Sequence, residues 1–115
     1  MFESIEAAVE HFRNGGMLVV VDSEDRENEG DLCIAASRAT PATITFMARQ
    51  GCGLICVAVE EDRADALRLH PMVPLQENGT QHQTAFTVSV EAARGVTTGI
   101  SAHDRARTIQ LLADP

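Results

Sequence analysis

The chain has 115 residues, 44% hydrophobic and 23% charged, which suits one small globular domain and excludes a disordered tail, a collagen-like chain and a coiled-coil rod. Nine arginines and no lysine face seventeen acids, for a net charge of −8. No basic patch is available to replace phosphate counterions, which argues against non-specific nucleic-acid binding. No uncharged apolar run, Met17–Val21 included, is long enough to span a bilayer, and an N-terminus carrying Glu3 and Glu6 does not read as a signal peptide. Cys33, Cys52 and Cys56 form an odd set, which points away from a disulfide framework and toward a reducing cytoplasm.

In chain order, Ser4–Asn14 reads as a helix with Ile5, Ala8, Val9 and Phe12 on one face and Asn14-Gly15-Gly16 as its stop. Met17–Val21 reads as a buried strand, and Leu32–Ala36 as a second strand beyond an acidic segment closed by Gly30. Thr40 is an N-cap with Pro41 at the first helical position, which opens a helix to about Gln50, ended by Gly51. Gly53–Val59 is expected as a third strand, Glu61–Leu69 as a short helix and 70–83 as a long loop. Thr84–Val90 alternates as a half-buried strand does, and Ser101 with Asp104 forms a capping box that opens a helix to the C-terminus. The order α-β-β-α-β-α-β-α is not strict β-α alternation, so the expected fold is α/β: a mixed sheet with helices packed on it.

Charge singles out one segment. Asp22-Ser-Glu-Asp-Arg-Glu-Asn-Glu-Gly-Asp31 holds six carboxylates and Arg26. Carboxylates this close repel one another unless something compensates. A solvated acidic loop is one reading. A site for a hard cation such as Mg²⁺ is the other, with Arg26 suited to an anionic ligand such as a phosphate. A calcium EF-hand loop fails, since Ala36 stands where the bidentate Glu is required. Cys52 and Cys56 lack a third cysteine at Val59 and lack a second zinc pair. Cys33 and Cys56 read as small buried residues, with Cys56 able to line a pocket at its strand's end. His11 and His70 read as surface residues, and His82 and His103 are scattered without metal-ligand spacing. Gly95–Ser101, ahead of a helix N-terminus, offers hydroxyls and N–H groups to a phosphate, although Ser and Thr there also serve capping.

These motifs in order closely resemble 3,4-dihydroxy-2-butanone 4-phosphate synthase of riboflavin biosynthesis. The resemblance is carried by Asp22–Leu32, Gly53-Leu-Ile-Cys56, Thr84-Ala-Phe-Thr-Val88, Gly95–Ala102 and Asp104-Arg105. It implies an α/β domain working as a homodimeric, Mg²⁺- or Mn²⁺-dependent lyase that converts ribulose 5-phosphate to 3,4-dihydroxy-2-butanone 4-phosphate and formate. Carried over by position, Glu27 is implied as the metal ligand and a substrate contact. Arg26 and Asp31 are implied as substrate-binding residues, and Asp22, Glu29, Cys56 and Thr98 as further pocket residues. Of these, Glu29, Asp22 and Cys56 are assigned to catalysis and Thr98 to substrate binding. Ser23 stands where the family often has a second Asp. The family's pattern continues with an Arg-x-Gly-His-Thr-Glu-Ala motif that this sequence lacks, so the resemblance implies roughly the first half of a domain, with little activity alone. The competing expectation is a non-catalytic relative that binds a sugar phosphate or only dimerises.

Overall fold

The computed structural model describes residues 2–114. Helix α1 spans Ile5–Arg13, with the Ser4 side chain accepting from the Ala7 N–H at its start. Its end is a Schellman turn, in which Gly15 N–H donates to Phe12 O and Gly16 N–H to His11 O. Gly15 holds φ +87°, a conformation that favours glycine.

Strands β1 (Leu18–Val21) and β2 (Gly30–Cys33) pair antiparallel, with Val21 opposite Gly30 and Leu18 opposite Cys33. The acidic segment is therefore the connection of a β-hairpin. The second strand lies two residues earlier than the apolar run suggests, because Gly30 and Asp31 join the ladder and Ala36–Arg38 forms a 3₁₀ turn. Helix α2 (Pro41–Phe46) starts with a reciprocal capping box between Thr40 and Thr43. It passes into one π-helical turn, Met47–Gly51, and Cys52 at φ 55° ends it.

Helix α3 covers Glu61–Ala66 and stops before the expected Leu69. A second Schellman turn ends it, with Arg68 in the left-handed region at φ 55° and Leu69 N–H donating to Ala64 O. Helix α4 spans Ala102–Ala113 from the Ser101 cap. The core is small: Ala39, Ile44, Ala106 and Ile109, with Ile55 and Val57 against them. It joins α2 to α4, and the Gln110 side chain ties the helices to Ala39 O at 2.7 Å. Arg63 of α3 donates to Leu111 O and Asp114 O, placing a cation at the C-terminus of α4, where the helix dipole favours it.

Two expected strands differ from expectation. Segments 53–59 and 84–90 run without a ladder among the described residues, apart from one antiparallel bridge between Pro71 and Thr87. In 84–90 only Thr87 is half-buried, and Phe86, Val88 and Val90 are exposed, against the expected half-buried strand, whereas the side chains of 53–59 alternate. Ile55, Val57 and Val59 are half-buried while Leu54, Cys56 and Ala58 are exposed. The residues have strand character, but a ladder needs neighbouring strands that these residues do not supply.

The molecule is correspondingly open. It exposes 9085 Å², against about 6,100 Å² expected for a folded monomer of this mass. Its radius of gyration is 15.2 Å, where a compact domain of this length would give about 13 Å. No helix among the described residues is long and apolar enough to cross a membrane.

Candidate functional site

The hairpin loop is organised by one carboxylate. Asp22 leaves β1 and turns back over the loop. Its Oδ2 accepts the Glu27 N–H at 2.9 Å and an Arg26 guanidinium N–H at 2.9 Å, and its Oδ1 accepts the Glu29 N–H at 3.0 Å. The Arg26 N–H donates to Ser23 O, and Asn28 takes φ 52° to reverse the chain. The Glu27 and Glu29 N–H groups hold the Asp22 carboxyl below the usual carboxylate range, with Arg26 adding to the effect. Arg26 also reaches Glu27 Oε2 at 3.0 Å, so one guanidinium bridges two carboxylates, and Asp22 and Glu27 raise its pKa further. This is the compensation the crowded acids require.

Five of the seven expected site residues therefore sit on one hairpin. Asp22 is half-buried, whereas Arg26, Glu27, Glu29 and Asp31 are exposed. Asp31 lies on β2 opposite Val20. Nearby, burial and then the charge of Asp31 push the Cys33 thiol up.

Cys56 and Thr98 lie elsewhere. No hydrogen bond or ion pair links them to the hairpin among the described residues. Cys56 is exposed, not a buried filler, and lines an apolar groove of about 910 Å³ walled also by Phe86, Val88, Arg105 and Ile109. Cys33 is half-buried, closer to the expected small core residue. Thr98 tops a turn held by a second carboxylate. Asp104, only 2% exposed, accepts at Oδ2 from Thr97 N–H (3.1 Å), Thr97 Oγ1 (2.8 Å) and Gly99 N–H (3.1 Å). The Thr97 hydroxyl leads the interactions that hold its carboxyl down at about 2. Both neighbours of Thr98 are thus fixed and Thr98 itself is exposed. Gly99, at φ +78°, has the Glu91 carboxylate where a Cβ would stand, so a side chain cannot enter without displacing it.

The clamping role of Asp104 is hidden in the sequence behind its capping-box reading, and Asp22 reads there as one acid among six. A threonine and a glycine just ahead of a capped helix are the signal that could point to such a clamp. His11, His70 and His103 are exposed and His82 is half-buried. His103 lies 3.6 Å from Asp104.

Among the described residues no three carboxylate, thiol or imidazole side chains converge as a ready-made metal cage. Magnesium keeps several of its waters and takes one or two carboxylates. The hard oxygen donors of the hairpin suit such an ion, and one Glu27 oxygen is not engaged by Arg26.

These features define an α/β domain that carries a charge-dense loop organised by its own hydrogen bonds. The sequence matches the family of 3,4-dihydroxy-2-butanone 4-phosphate synthase over residues 6–115, and the chain belongs to that family, whose members are lyases of riboflavin biosynthesis. It is 53% identical over 114 residues to the 3,4-dihydroxy-2-butanone 4-phosphate synthase of Pseudomonas syringae pathovar tomato, covering 99% of this chain and 30% of that protein. It is 56% identical over 117 residues to the riboflavin biosynthesis protein RibBA of Synechocystis, covering 100% of this chain and 21% of that protein. A crystal structure of 3,4-dihydroxy-2-butanone 4-phosphate synthase in complex with two magnesium ions superposes with a TM-score of 0.93 at 45% identity, covering 99% of this chain and 52% of that one. A cation-free crystal form of such a synthase gives 0.88 at 43% identity, covering 100% and 51%. The chain thus spans about half the length of these solved relatives and less than a third of these curated ones.

Proposed function

We propose that this chain supplies the acidic half of a synthase site that converts D-ribulose 5-phosphate to 3,4-dihydroxy-2-butanone 4-phosphate and formate. The observation that carries the reading is the hairpin itself. Asp22 holds Arg26, Glu27 and Glu29 in one turn, and Asp31 follows on β2.

Enolising a sugar beside its carbonyl needs a base for the adjacent proton and positive charge for the developing oxyanion. Bound Mg²⁺ or Mn²⁺ would supply that charge as a Lewis acid, the role suggested by the relative that holds two magnesium ions. Glu27 would hold the metal and contact substrate. Glu29 moves the proton. Arg26, fixed by two carboxylates, offers its remaining N–H groups to the substrate's anionic part. Asp31 accepts from a sugar hydroxyl. Asp22 keeps Arg26, Glu27 and Glu29 in register and so shares in catalysis. Cys56 lies on the apolar wall that would shield the sugar from water, and Thr98, exposed on its fixed turn beside Gly99 of that wall, would contact the substrate. A homodimer is the assembly the resemblance favours.

The test is formate release from ribulose 5-phosphate by a polypeptide joining this chain to the half of the solved synthase it does not match. Mg²⁺-dependent turnover, abolished by chelation and lowered about 10²–10⁴-fold by Glu29→Gln, is expected. A folded, metal-replete fusion with no turnover sinks the reading. Tight sugar-phosphate binding without formate would favour the non-catalytic alternative.

A further inference from the structure

The loop that joins segment 84–90 to helix α4 is tied to that helix along its length. Thr108 Oγ1 accepts the Ala92 N–H at 3.0 Å, and Arg107 Nε donates to Arg94 O at 2.8 Å. Further along, Asp104 takes the Thr97 and Gly99 N–H groups and the Thr97 hydroxyl, and Arg105 Nε donates to Ile100 O at 2.7 Å. The Ser101 hydroxyl accepts the Asp104 N–H as the helix cap. The N–H groups of Thr97 and Gly99 that the sequence offers to a phosphate are therefore already occupied by a carboxylate. Of the hydroxyls at Thr97, Thr98 and Ser101, only that of Thr98 makes no hydrogen bond among the described residues, and Thr98 is exposed.

We propose that Asp104 is a positioning residue for the synthase reaction, acting on the sugar phosphate through Thr98. The inference rests on the reading of Thr98 as a substrate contact. Asp104 is 2% exposed, too buried to touch the substrate itself. Its Oδ2 draws the N–H groups on either side of Thr98 to one point, which fixes the backbone that carries the Thr98 side chain. A hydroxyl on a fixed backbone loses less freedom on binding than one on a mobile loop. The anchor is itself held, since Asp104 lies in the first turn of α4 beside the core residue Ala106, and Thr108 Oγ1 donates to Asp104 O at 3.0 Å. On the far side of the turn, the Glu91 carboxylate closes over Gly99. An ionised carboxylate accepts more strongly than a neutral amide, so the hold on the turn depends on the charge of Asp104 as well as on its shape.

The test is a double-mutant cycle on the polypeptide that joins this chain to the other half of the synthase, read by turnover and by titration with ribulose 5-phosphate. Thr98→Val is expected to raise KM and Kd about three- to tenfold, the worth of one neutral hydrogen bond. Asp104→Asn is expected to raise both by a comparable factor while kcat changes less. In the Thr98→Val background the same substitution should change them less than about twofold, because its route to the substrate is gone. Thr97→Val removes one donor to Asp104 and leaves the core untouched, so it runs the same cycle at smaller amplitude if Asp104→Asn does not fold. Multiplicative effects in the double variants overturn the inference, as does a folded Asp104→Asn with unchanged KM and Kd. Turnover with multiplicative effects leaves the proposed function standing. Binding without formate, with a non-multiplicative cycle in Kd, leaves the role of Asp104 standing alone, and a joined polypeptide that binds no sugar phosphate overturns both.

Discussion

The acidic hairpin and the apolar groove are built from opposite material, and they differ in where their backbone partners come from. In the hairpin, Asp22 satisfies the amides of Glu27 and Glu29 from within eight residues of chain. The turn at Thr97–Gly99 repeats the device with Asp104. In the groove, residues 53–59 find no such partner. Polar loops of this kind can preform their ligand-facing geometry locally, while strands depend on chain remote in sequence. The charged loop is therefore fixed by its own stretch of chain.

The largest effect is expected at the support beneath the turn. Ile44, 1% exposed, joins α2 to α4. Ile44→Ala should cost about 2–4 kcal/mol, read by urea denaturation, and should loosen Asp104's helix while the hairpin's own hydrogen bonds persist. Loss of both regions together would break the claim that they are independent.

The next effect is at Asp104. Its carboxyl is held at about 2 against a usual 3.8. The folded state therefore binds this proton more weakly than the unfolded state, and the stabilisation is full above about pH 4 and is lost as pH falls from about 4 toward about 2. An acid melt followed by NMR should show the Thr97 and Gly99 amides released across that window. Asp104→Asn should remove the pH dependence and speed exchange at both amides about tenfold. An unchanged acid profile in the variant would remove Asp104 from its role as the clamp.

A smaller effect is expected from Asp22→Asn. Arg26 loses one of its two carboxylates, so the loop should become mobile by NMR relaxation and more sensitive to salt, with little change in melting temperature because the pair is exposed. The smallest is Arg68→Gly. Arg68 is exposed at φ 55°, and glycine there should stabilise by about 0.5–1 kcal/mol, sharpening the baseline against which the other variants are read.

The helices were legible because their signals are local. Ser4, Thr40 and Ser101 each cap the helix the sequence assigns to it. The early stop of α3 was not, since Arg68 gives no sign of taking the left-handed place that glycine usually fills. The β-hairpin was legible from two apolar runs around an acidic loop. Segments 53–59 and 84–90 were both expected as strands, but neither forms a ladder, and the apolar side of 84–90 is exposed, because pairing and burial depend on partners that no local pattern encodes. In the site, the charge cluster marked the hairpin residues. Its organisation around Asp22, and the burial of Asp104 beneath Thr98, depend on how the chain turns back on itself and were visible only in three dimensions.

The most direct test of the central claim is the rate of formate release from ribulose 5-phosphate and Mg²⁺, measured on this chain before and after the complementary half is supplied. The account predicts little or no turnover from the chain alone and Mg²⁺-dependent turnover once that half is supplied. Equal turnover from the chain alone would contradict it.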